Sequence, residues 1–275
     1  MEYSPSKLKE IMEKNDFSLK KFYGQNFIID ENVINSIISK SEIDKDTLVI
    51  EIGPGAGSLT YKLSKAAKRV LCYEIDNSLE PILKENLKGC RNVDIKFQDF
   101  LKCNVKKDLK NYNYKKLYVV ANLPYYITTP IILKIIEENI NVDKIVVMVQ
   151  KEVGNRFKAN PNTKDYGSLS VFIKYYFDVR KILDVSKNVF IPKPNVDSIV
   201  VEFINNENKF ELKDKDLFFK LVKDAFKQKR KTLKNNLKDY DLEKIESVLN
   251  KHALDLNARA EQLSINLFVE IANNL

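Results

Sequence analysis

Short apolar runs alternate with longer amphipathic segments along the first two-thirds of the chain. The apolar runs are rich in Val, Ile, Leu and aromatic side chains, as expected of strands buried on both faces. They predict strands at Thr47–Ile52, Val70–Ile75, Val93–Phe97, Leu117–Ala121, Ile145–Gln150, Leu169–Phe177 and Ser198–Ile204. The segments between the early runs predict helices at Asn32–Lys40, Gly57–Lys65, Asn77–Leu87 and Thr129–Glu138. This alternation predicts a parallel, doubly wound α/β sheet, and the sparse helix between the last strands predicts an antiparallel edge.

The pattern changes after Asn205. The polar stretch from Asn205 to Lys209 is typical of a linker. Beyond it the chain shows amphipathic helical periodicity and no strand pattern, with helices predicted at Asp216–Phe226, Leu242–Lys251 and Ile265–Asn273. We therefore predict a Rossmann-like catalytic domain over residues 1–205 and a small all-helical domain over residues 206–275.

The charge balance favours an acidic partner. The 275 residues include 46 Lys and Arg against 38 Asp and Glu, a net charge of +8 at pH 7. Such a surplus is typical of proteins that bind nucleic acid, although a generally lysine-rich surface would give the same balance. Charge alone leaves both interpretations open.

Cysteine and histidine are too scarce for several kinds of chemistry. Cys72, Cys90 and Cys103 form no CxxC pair, so we expect neither a disulfide framework nor a zinc site, and no metal. The single histidine, His252, is expected to be a surface or packing residue. No apolar run approaches the roughly 18 to 20 residues that span a bilayer, and the first twenty residues lack a signal-peptide pattern. We therefore expect a cytoplasmic protein outside the membrane.

A glycine-rich turn follows the first predicted strand. Glycines at 53, 55 and 57 allow the backbone to approach a ligand closely. Glu74 ends the next strand, where a carboxylate is placed to accept both ribose hydroxyls of a nucleoside cofactor. Asp99 follows the third strand and is placed to accept from an adenine amino group. Because the ends of parallel strands meet in one crevice, these residues predict a single cofactor pocket.

The spacing of the glycines bears on which cofactor binds. The dinucleotide fingerprint is GxGxxG, but here the third glycine comes one position early and Ser58 follows it. Glu51, at the end of the first strand, suits a positively charged sulfonium better than a pyrophosphate. We therefore expect S-adenosylmethionine, and a dinucleotide-dependent oxidoreductase remains the alternative.

The tetrapeptide Asn122-Leu-Pro-Tyr125 follows the fourth predicted strand. An adenine amino group is a poor nucleophile because its lone pair is delocalised into the ring. The Asn122 amide oxygen and a backbone carbonyl held by Pro124 can accept its two N–H bonds and free that lone pair. Tyr125 can stack on a flipped base, which contributes about 1–3 kcal/mol. Methyl transfer needs no histidine or metal, since positioning supplies most of the acceleration.

Together these motifs closely resemble the ribosomal RNA adenine N6,N6-dimethyltransferase family, in its small-subunit (KsgA-type) branch. The resemblance extends from about Lys20 to the C-terminus. The matching motifs are Gly24–Ile28, Glu51–Gly55, Glu74–Asp76, Gln98–Asp99, Asn122–Tyr125 and Phe190–Ser198.

The resemblance implies a set of site residues and a substrate. It implies that S-adenosylmethionine is bound by Asn26, Ile28, Gly53, Glu74, Asp99 and Asn122. It implies that the catalytic residues are Asn122, Leu123, Pro124, Tyr125 and Phe190, with Phe190 as a second aromatic around the target base. The implied substrate is two adjacent adenosines near the 3′ end of small-subunit (16S) rRNA, each dimethylated within an assembling subunit.

Two further interpretations concern relatives and non-enzymes. The large-subunit, erythromycin-resistance branch shares the tetrapeptide, but the tail of residues 150–170 resembles the small-subunit branch. Tyr126 and Thr128 occupy positions where many relatives carry Asn and Ser. Because they lie beside the tetrapeptide, this difference bears on the rate of methyl transfer and not on the function. A non-catalytic assembly factor with the same fold is disfavoured by the intact Asn122 and Glu74.

Two basic segments are candidates for contact with RNA phosphates. The run from Lys223 to Lys238 carries seven Lys and Arg against one Asp. The second candidate is a patch predicted to flank the mouth of the active site, formed by Lys151, Arg156, Lys158 and Lys164. A solvated helix face is the alternative for the first segment. We expect RNA to be recognised by shape.

Overall fold

The computed structural model describes Glu10 and residues 26–125, 127–206 and 210–275. Its strands are β1 (Phe27–Ile28), β2 (Thr47–Ile52), β3 (Arg69–Glu74), β4 (Val93–Phe97), β5 (Lys116–Asn122), β6 (Lys144–Gln150), β7 (Phe177–Val185), β8 (Phe190–Ile191) and β9 (Ser198–Asn205). Its α-helices from residue 26 onward are α1 (Glu31–Ser41), α2 (Ser58–Ala66), α3 (Glu80–Asn86), α4 (Val105–Leu109), α5 (Thr128–Glu137), α6 (Lys151–Lys158), α7 (Ser168–Tyr176), α8 (Lys215–Ala225), α9 (Leu233–Asn236), α10 (Leu242–Asn250) and α11 (Ile265–Asn274).

The large sheet has the strand order β4-β3-β2-β5-β6-β9-β7. Strands β2, β3, β4, β5 and β6 run parallel to one another, and β9 pairs antiparallel with β6, as the sequence predicts. Strands β3 and β4 lie on one side of β2, and β5 lies on the other side. The strand order therefore reverses between β2 and β5. The crevice at the carboxyl ends of those two strands is the usual ligand site of such sheets.

A two-stranded ladder holds the segment that begins at Asn26 beside this crevice. In it β1 pairs antiparallel with β8, with Phe27 opposite Ile191 and Ile28 opposite Phe190. Ile28 and Phe190 are buried in the same apolar cluster as Val49 of β2. The ladder therefore brings Asn26 and Ile28, which are remote in sequence from the sheet, to its edge.

Six of the seven predicted strands agree with the structure to within one residue at each end, and the prediction for residues 169–177 is wrong. That run forms helix α7, which ends at Tyr176 and continues directly into β7. A short apolar run does not distinguish a buried strand from a buried helix. Here the helix is favoured because Val171 packs in a helical cluster with Phe218. Strand β7 was missed because polar residues interrupt its apolar pattern.

Contacts divide the chain into two compact units. The first contains the described residues up to Lys151 together with Arg180–Ile204, and the second contains Glu152–Val179 and Asn205–Leu275. The second unit has its own apolar core, in which α8 packs against α11 and α11 packs against α10. The predicted domain boundary between residues 205 and 206 remains a prediction. In the structure, the second unit also includes residues 152–179, which precede that boundary in sequence. Within the described chain, no helix is long and apolar enough to cross a bilayer.

Candidate active site

A cavity of about 380 Å³ opens at the carboxyl ends of β2, β3 and β5. This volume is within the range of small-molecule sites. The structure brings nine of the ten predicted site residues together in its wall: Asn26, Ile28, Gly53, Glu74, Asp99, Asn122, Leu123, Pro124 and Tyr125. The tenth, Phe190, is not part of the wall.

The glycine turn forms the floor of the cavity with left-handed backbone. Gly53 has φ of +71°, and an added Cβ there would meet nothing within 4 Å, so the backbone faces open space. Gly55 has φ of +60°, and a Cβ on it would lie 2.8 Å from the Phe27 ring. Both positions therefore require glycine, for conformation and, at Gly55, also for space.

Glu74 ties the glycine turn to the end of β3. Its Oε2 accepts from the Gly55 N–H at 3.0 Å, and its Oε1 accepts from the Asp76 N–H at 2.9 Å. Burial raises the pKa of this carboxyl, and the two backbone N–H groups oppose the shift. Because each carboxylate oxygen has two lone pairs, both retain an acceptor position for a ligand hydroxyl.

Glu51 lies in the same wall but has a different environment. Its side chain is buried, and the Cys72 thiol donates to Oε2 at 3.7 Å. Burial raises the pKa of Glu51 to about 8, and the charge of Glu74 acts in the same direction. The two carboxyls therefore line the inner part of the cavity, and Glu51 is mostly protonated at neutral pH unless a positive charge lies close to it.

Asp99 and Ile75 lie on the part of the wall formed by the ends of β3 and β4. Asp99 Oδ1 accepts from the Leu101 N–H at 2.9 Å, and Oδ2 lies 3.8 Å from the Lys102 ammonium. Ile75 is 44% exposed, which is unusual for a large apolar side chain beside a cavity. An exposed apolar surface next to a carboxylate suits a planar base with a polar edge. Ile75 was missed as a site residue, although its position between Glu74 and Asp76 is a usable signal.

The Asn122 carboxamide has a fixed orientation at the end of β5. Its Nδ2 donates to the Asn26 carbonyl at 2.9 Å. No described residue donates to its Oδ1, which is therefore left as the acceptor for a ligand. The same holds for the Leu123 carbonyl, whereas the Pro124 carbonyl already accepts from the Ile127 N–H and the Thr128 hydroxyl. Two acceptors are thus presented side by side in the tetrapeptide.

The Tyr125 ring is anchored through its hydroxyl. The hydroxyl lies 2.8 Å from Ser198 Oγ at the start of β9, and burial raises the pKa of the phenol. Ser198 is fully buried, so this contact fixes one edge of the ring. Sequence reasoning missed Ser198 because nothing in the pattern pairs it with Tyr125.

Phe190 lies away from the cavity wall. The ring is 3% exposed, and its neighbours are core residues that include Ile28 and Val185. The predicted contact with a target base therefore remains a prediction, and this geometry does not support it. Gly24, Gln25 and Tyr126 lie outside the described residues.

The basic run predicted from Lys223 to Lys238 lies in the second unit, from the last turn of α8 to just beyond α9. All seven of its cations are exposed, namely Lys223, Lys227, Lys229, Arg230, Lys231, Lys234 and Lys238. Among the described residues, none of them forms an ion pair. Lys229 donates to the Lys164 carbonyl at 2.8 Å, so this run meets part of the second predicted patch. Of that patch, Arg156 pairs with Glu152 and Lys151 lies 3.7 Å from Asp184. The position of the patch beside the active-site mouth remains a prediction.

The part of the chain that the structure describes contains no set of metal ligands. No group of three or more His, Cys, Asp or Glu side chains is arranged there to hold an ion.

Comparison with known proteins gives a consistent result over nearly the whole chain. The family model described as "Ribosomal RNA adenine dimethylase" matches residues 16–275. "Ribosomal RNA small subunit methyltransferase A" of Staphylococcus aureus (strain bovine RF122 / ET3-1) is 46% identical, covering 98% of this chain and 93% of the relative. The protein of the same name from Macrococcus caseolyticus (strain JCSC5402) is 45% identical, covering 100% and 97%.

Solved structures agree on the fold. A dimethyladenosine transferase from Plasmodium falciparum superposes with a TM-score of 0.76 at 27% identity, covering 89% of this chain and 95% of that one. The 23S rRNA methyltransferase ErmE has a TM-score of 0.71 at 24% identity, covering 90% and 99%, and at that identity it shows the fold alone. From the family model and the two bacterial relatives, this chain belongs to the ribosomal RNA adenine dimethylase family.

Proposed function

We propose that the protein transfers methyl groups from S-adenosylmethionine to N6 of two adjacent adenosines near the 3′ end of small-subunit rRNA. Each adenosine is dimethylated, on RNA within an assembling small subunit in the cytoplasm. The observation that carries the proposal is the orientation of Asn122. The bond from its Nδ2 to Asn26 directs an amide oxygen at the same cavity that holds Glu74 and Asp99.

The cavity fits a positively charged nucleoside. Glu74 retains acceptor positions for ribose hydroxyls, Asp99 can accept from an adenine amino group, and Ile75 offers an apolar surface to the base. The open space at Gly53 leaves room for close approach to the backbone. When bound, S-adenosylmethionine supplies a methyl group on a positively charged sulfur that departs as a neutral thioether. A wall with two buried carboxyls that can ionise beside a cation suits that charge better than it suits a pyrophosphate.

The tetrapeptide would prepare the target amine. Asn122 Oδ1 and the Leu123 carbonyl can accept the two N–H bonds of an adenine N6, which concentrates its lone pair on nitrogen. The new N–C bond then forms as the C–S bond breaks, and the nitrogen afterwards loses a proton to water. No described residue has to act as a strong base, so the protein contributes mainly by holding the reacting atoms in line.

Tyr125 would hold the flipped base. Its ring lies in the cavity wall, and Ser198 fixes the hydroxyl. Stacking on such a ring contributes about 1–3 kcal/mol per base and tolerates any base identity. The two acceptors beside it require an exocyclic amino group on the base, which excludes uracil.

The bacterial relatives and the second unit support the choice of RNA. The relatives at 45–46% identity are named for the small subunit. The exposed cations from Lys223 to Lys238, which form no ion pair with any described residue, form a surface that suits RNA phosphates, and each phosphate contact adds salt dependence to binding. Shape recognition of folded RNA is consistent with such a surface.

The test offers labelled S-adenosylmethionine to undermethylated small and large ribosomal subunits in parallel. We expect label in the small-subunit RNA, at two adjacent adenosines that yield N6,N6-dimethyladenosine on digestion and mass spectrometry. Label confined to large-subunit RNA would replace the proposed substrate with the other branch of the family. No transfer to either subunit, despite cofactor binding, would support a non-catalytic role.

A further inference from the structure

Glu51 is a buried carboxyl whose role is not explained by the steps above. It is 1% exposed, yet it belongs to the cavity wall. Among the described residues it forms no salt bridge with any lysine, arginine or histidine. Its neighbours are the Cys72 thiol on β3 and the Thr60 hydroxyl on α2, and the latter forms no well-aligned hydrogen bond.

A buried carboxyl without a cation has two stable situations. It can remain protonated and neutral, or it can ionise when a positive charge comes close. The other carboxyl that acts on Glu51 is Glu74, whose negative charge disfavours ionisation. Glu51 also belongs to the cavity wall, so a bound ligand is the available source of positive charge.

We propose that Glu51 is a specificity-determining residue that ionises when a sulfonium fills the cavity and is protonated when the neutral thioether product fills it. The preference of the site for cofactor over product therefore increases with pH. This inference rests on the proposed function, since it takes S-adenosylmethionine and S-adenosylhomocysteine as the ligands.

The other titratable groups near Glu51 give different behaviour. Cys72 is held neutral, because burial raises the pKa of its thiol well above the ordinary value. Glu74 accepts two backbone N–H bonds, which stabilise its charged form, whereas Glu51 accepts none from the backbone. Asp76 accepts from the Ser78 N–H, and Asp99 accepts from the Leu101 N–H. Glu51 is therefore the group whose ionisation depends most on the ligand.

The consequence for turnover concerns product release. Methyl transfer removes the positive charge from sulfur, and the Glu51 carboxylate then takes up one proton from solvent. At a pH below the pKa that Glu51 has in both complexes, this carboxyl contributes no preference between product and cofactor. At higher pH the ionised carboxyl disfavours the neutral product relative to the cation.

The experiment measures the dissociation constants of S-adenosylmethionine and S-adenosylhomocysteine by calorimetry from pH 6 to pH 9. It compares the wild type, Glu51→Gln and the surface control Glu80→Gln. We expect the cofactor-to-product affinity ratio of the wild type to rise about tenfold, the effect of a one-unit pKa change on binding. Glu51→Gln should show a rise below twofold, and Glu80→Gln should follow the wild type. Because both ligands carry an α-amino group, the comparison with Glu51→Gln removes its titration.

Thermal unfolding without ligand provides a second readout. Burial raises the pKa of Glu51 to about 8, so the folded protein retains a proton that the unfolded chain releases above about 4.3. The stability from this group is complete below that lower value and is lost as pH rises towards 8. The melting temperature of the wild type should therefore fall more steeply between pH 5 and pH 8 than that of Glu51→Gln.

A ratio that stays flat in the wild type would overturn the inference, as would an equal rise in Glu51→Gln. Both results leave the proposed function intact, provided that both ligands bind. If neither ligand bound the wild type at any pH, the cofactor assignment itself would fail, and methyl transfer to subunits would be absent as well.

Discussion

The cavity of the first unit and the basic surface of the second carry opposite charges. The cavity wall includes Glu51, Glu74 and Asp99, two of them buried. The basic surface has seven exposed cations without ion pairs among the described residues. The net charge of the chain therefore indicates the kind of macromolecule that it binds. The cofactor is instead recognised by a few groups in the cavity, and these groups hardly change the net charge. The two regions can be perturbed separately, because they lie in different compact units.

The largest effect is expected at the tetrapeptide. Asn122→Ala removes the acceptor for the target amine, so the methylation rate should fall at least about 10²–10³-fold, the usual cost of one such contact. Cofactor affinity, measured by calorimetry, should stay within a few-fold. Asn111→Ala, an exposed asparagine outside the cavity wall, serves as the control. Full activity of Asn122→Ala on small subunits would contradict the mechanism.

The next largest effect is expected in cofactor binding. Glu74→Gln replaces one acceptor oxygen by an amide N–H₂, which then faces the N–H of either Gly55 or Asp76. We expect the dissociation constant of S-adenosylmethionine to rise about 10- to 100-fold, while binding to small subunits stays unchanged. Glu80→Gln, at a partly exposed residue that pairs with Lys84 outside the cavity wall, serves as a control in the same unit. An unaltered dissociation constant would mean that Glu74 serves only to hold the glycine turn.

Substitutions in the basic surface should weaken binding to small subunits and leave cofactor binding unchanged, the reverse of what is expected for Glu74→Gln. Replacing Arg230, Lys231 and Lys234 together by Ala should weaken subunit binding about tenfold at moderate salt and leave cofactor affinity unchanged. If all three contact phosphates, the slope of log K against log[salt] should decrease by about 2. The matched control replaces Lys84, Lys88 and Lys115, which are exposed in the first unit. Equal losses in both triple variants would show that only total charge matters.

The smallest effect is expected at Ser198. Ser198→Ala removes the partner of the Tyr125 hydroxyl and leaves it buried, which costs about 1 kcal/mol, or a roughly fivefold lower turnover number. Cofactor affinity should not change, because Ser198 is outside the cofactor pocket wall. Ser186→Ala, a serine in the same unit, tests for a general loss of stability. A turnover number equal to that of the wild type would show that the ring is held by packing alone.

The sequence predicts those parts of the site that follow directly from strand ends. Gly53, Glu74, Asp99 and Asn122 lie at the ends of successive parallel strands or just after them, and topology alone brings such positions together. The β1–β8 ladder cannot be derived this way, because two-residue strands have no periodicity. Contacts between remote segments, such as Tyr125 with Ser198, also leave no pattern.

The error at residues 169–177 has a similar origin. Tyr175 and Tyr176 suit a strand by propensity, yet the segment is helical because its apolar face packs within the second unit. Tertiary packing therefore decided between two local structures that the sequence left nearly equivalent. Phe190 shows the same limit, since an aromatic in a functional motif can serve either the site or the core.

The β1–β8 ladder makes the orientation of the Asn122 carboxamide depend on Phe190, which is not part of the cavity wall. Phe190 pairs with Ile28, and two residues earlier the Asn26 carbonyl fixes the Asn122 side chain. Truncating Phe190 would loosen these contacts and the orientation of Asn122. The turnover number would therefore fall even if the Phe190 ring never contacts the substrate. Kinetic loss at that position is therefore poor proof of base stacking, and a structure of the variant would be needed to interpret it.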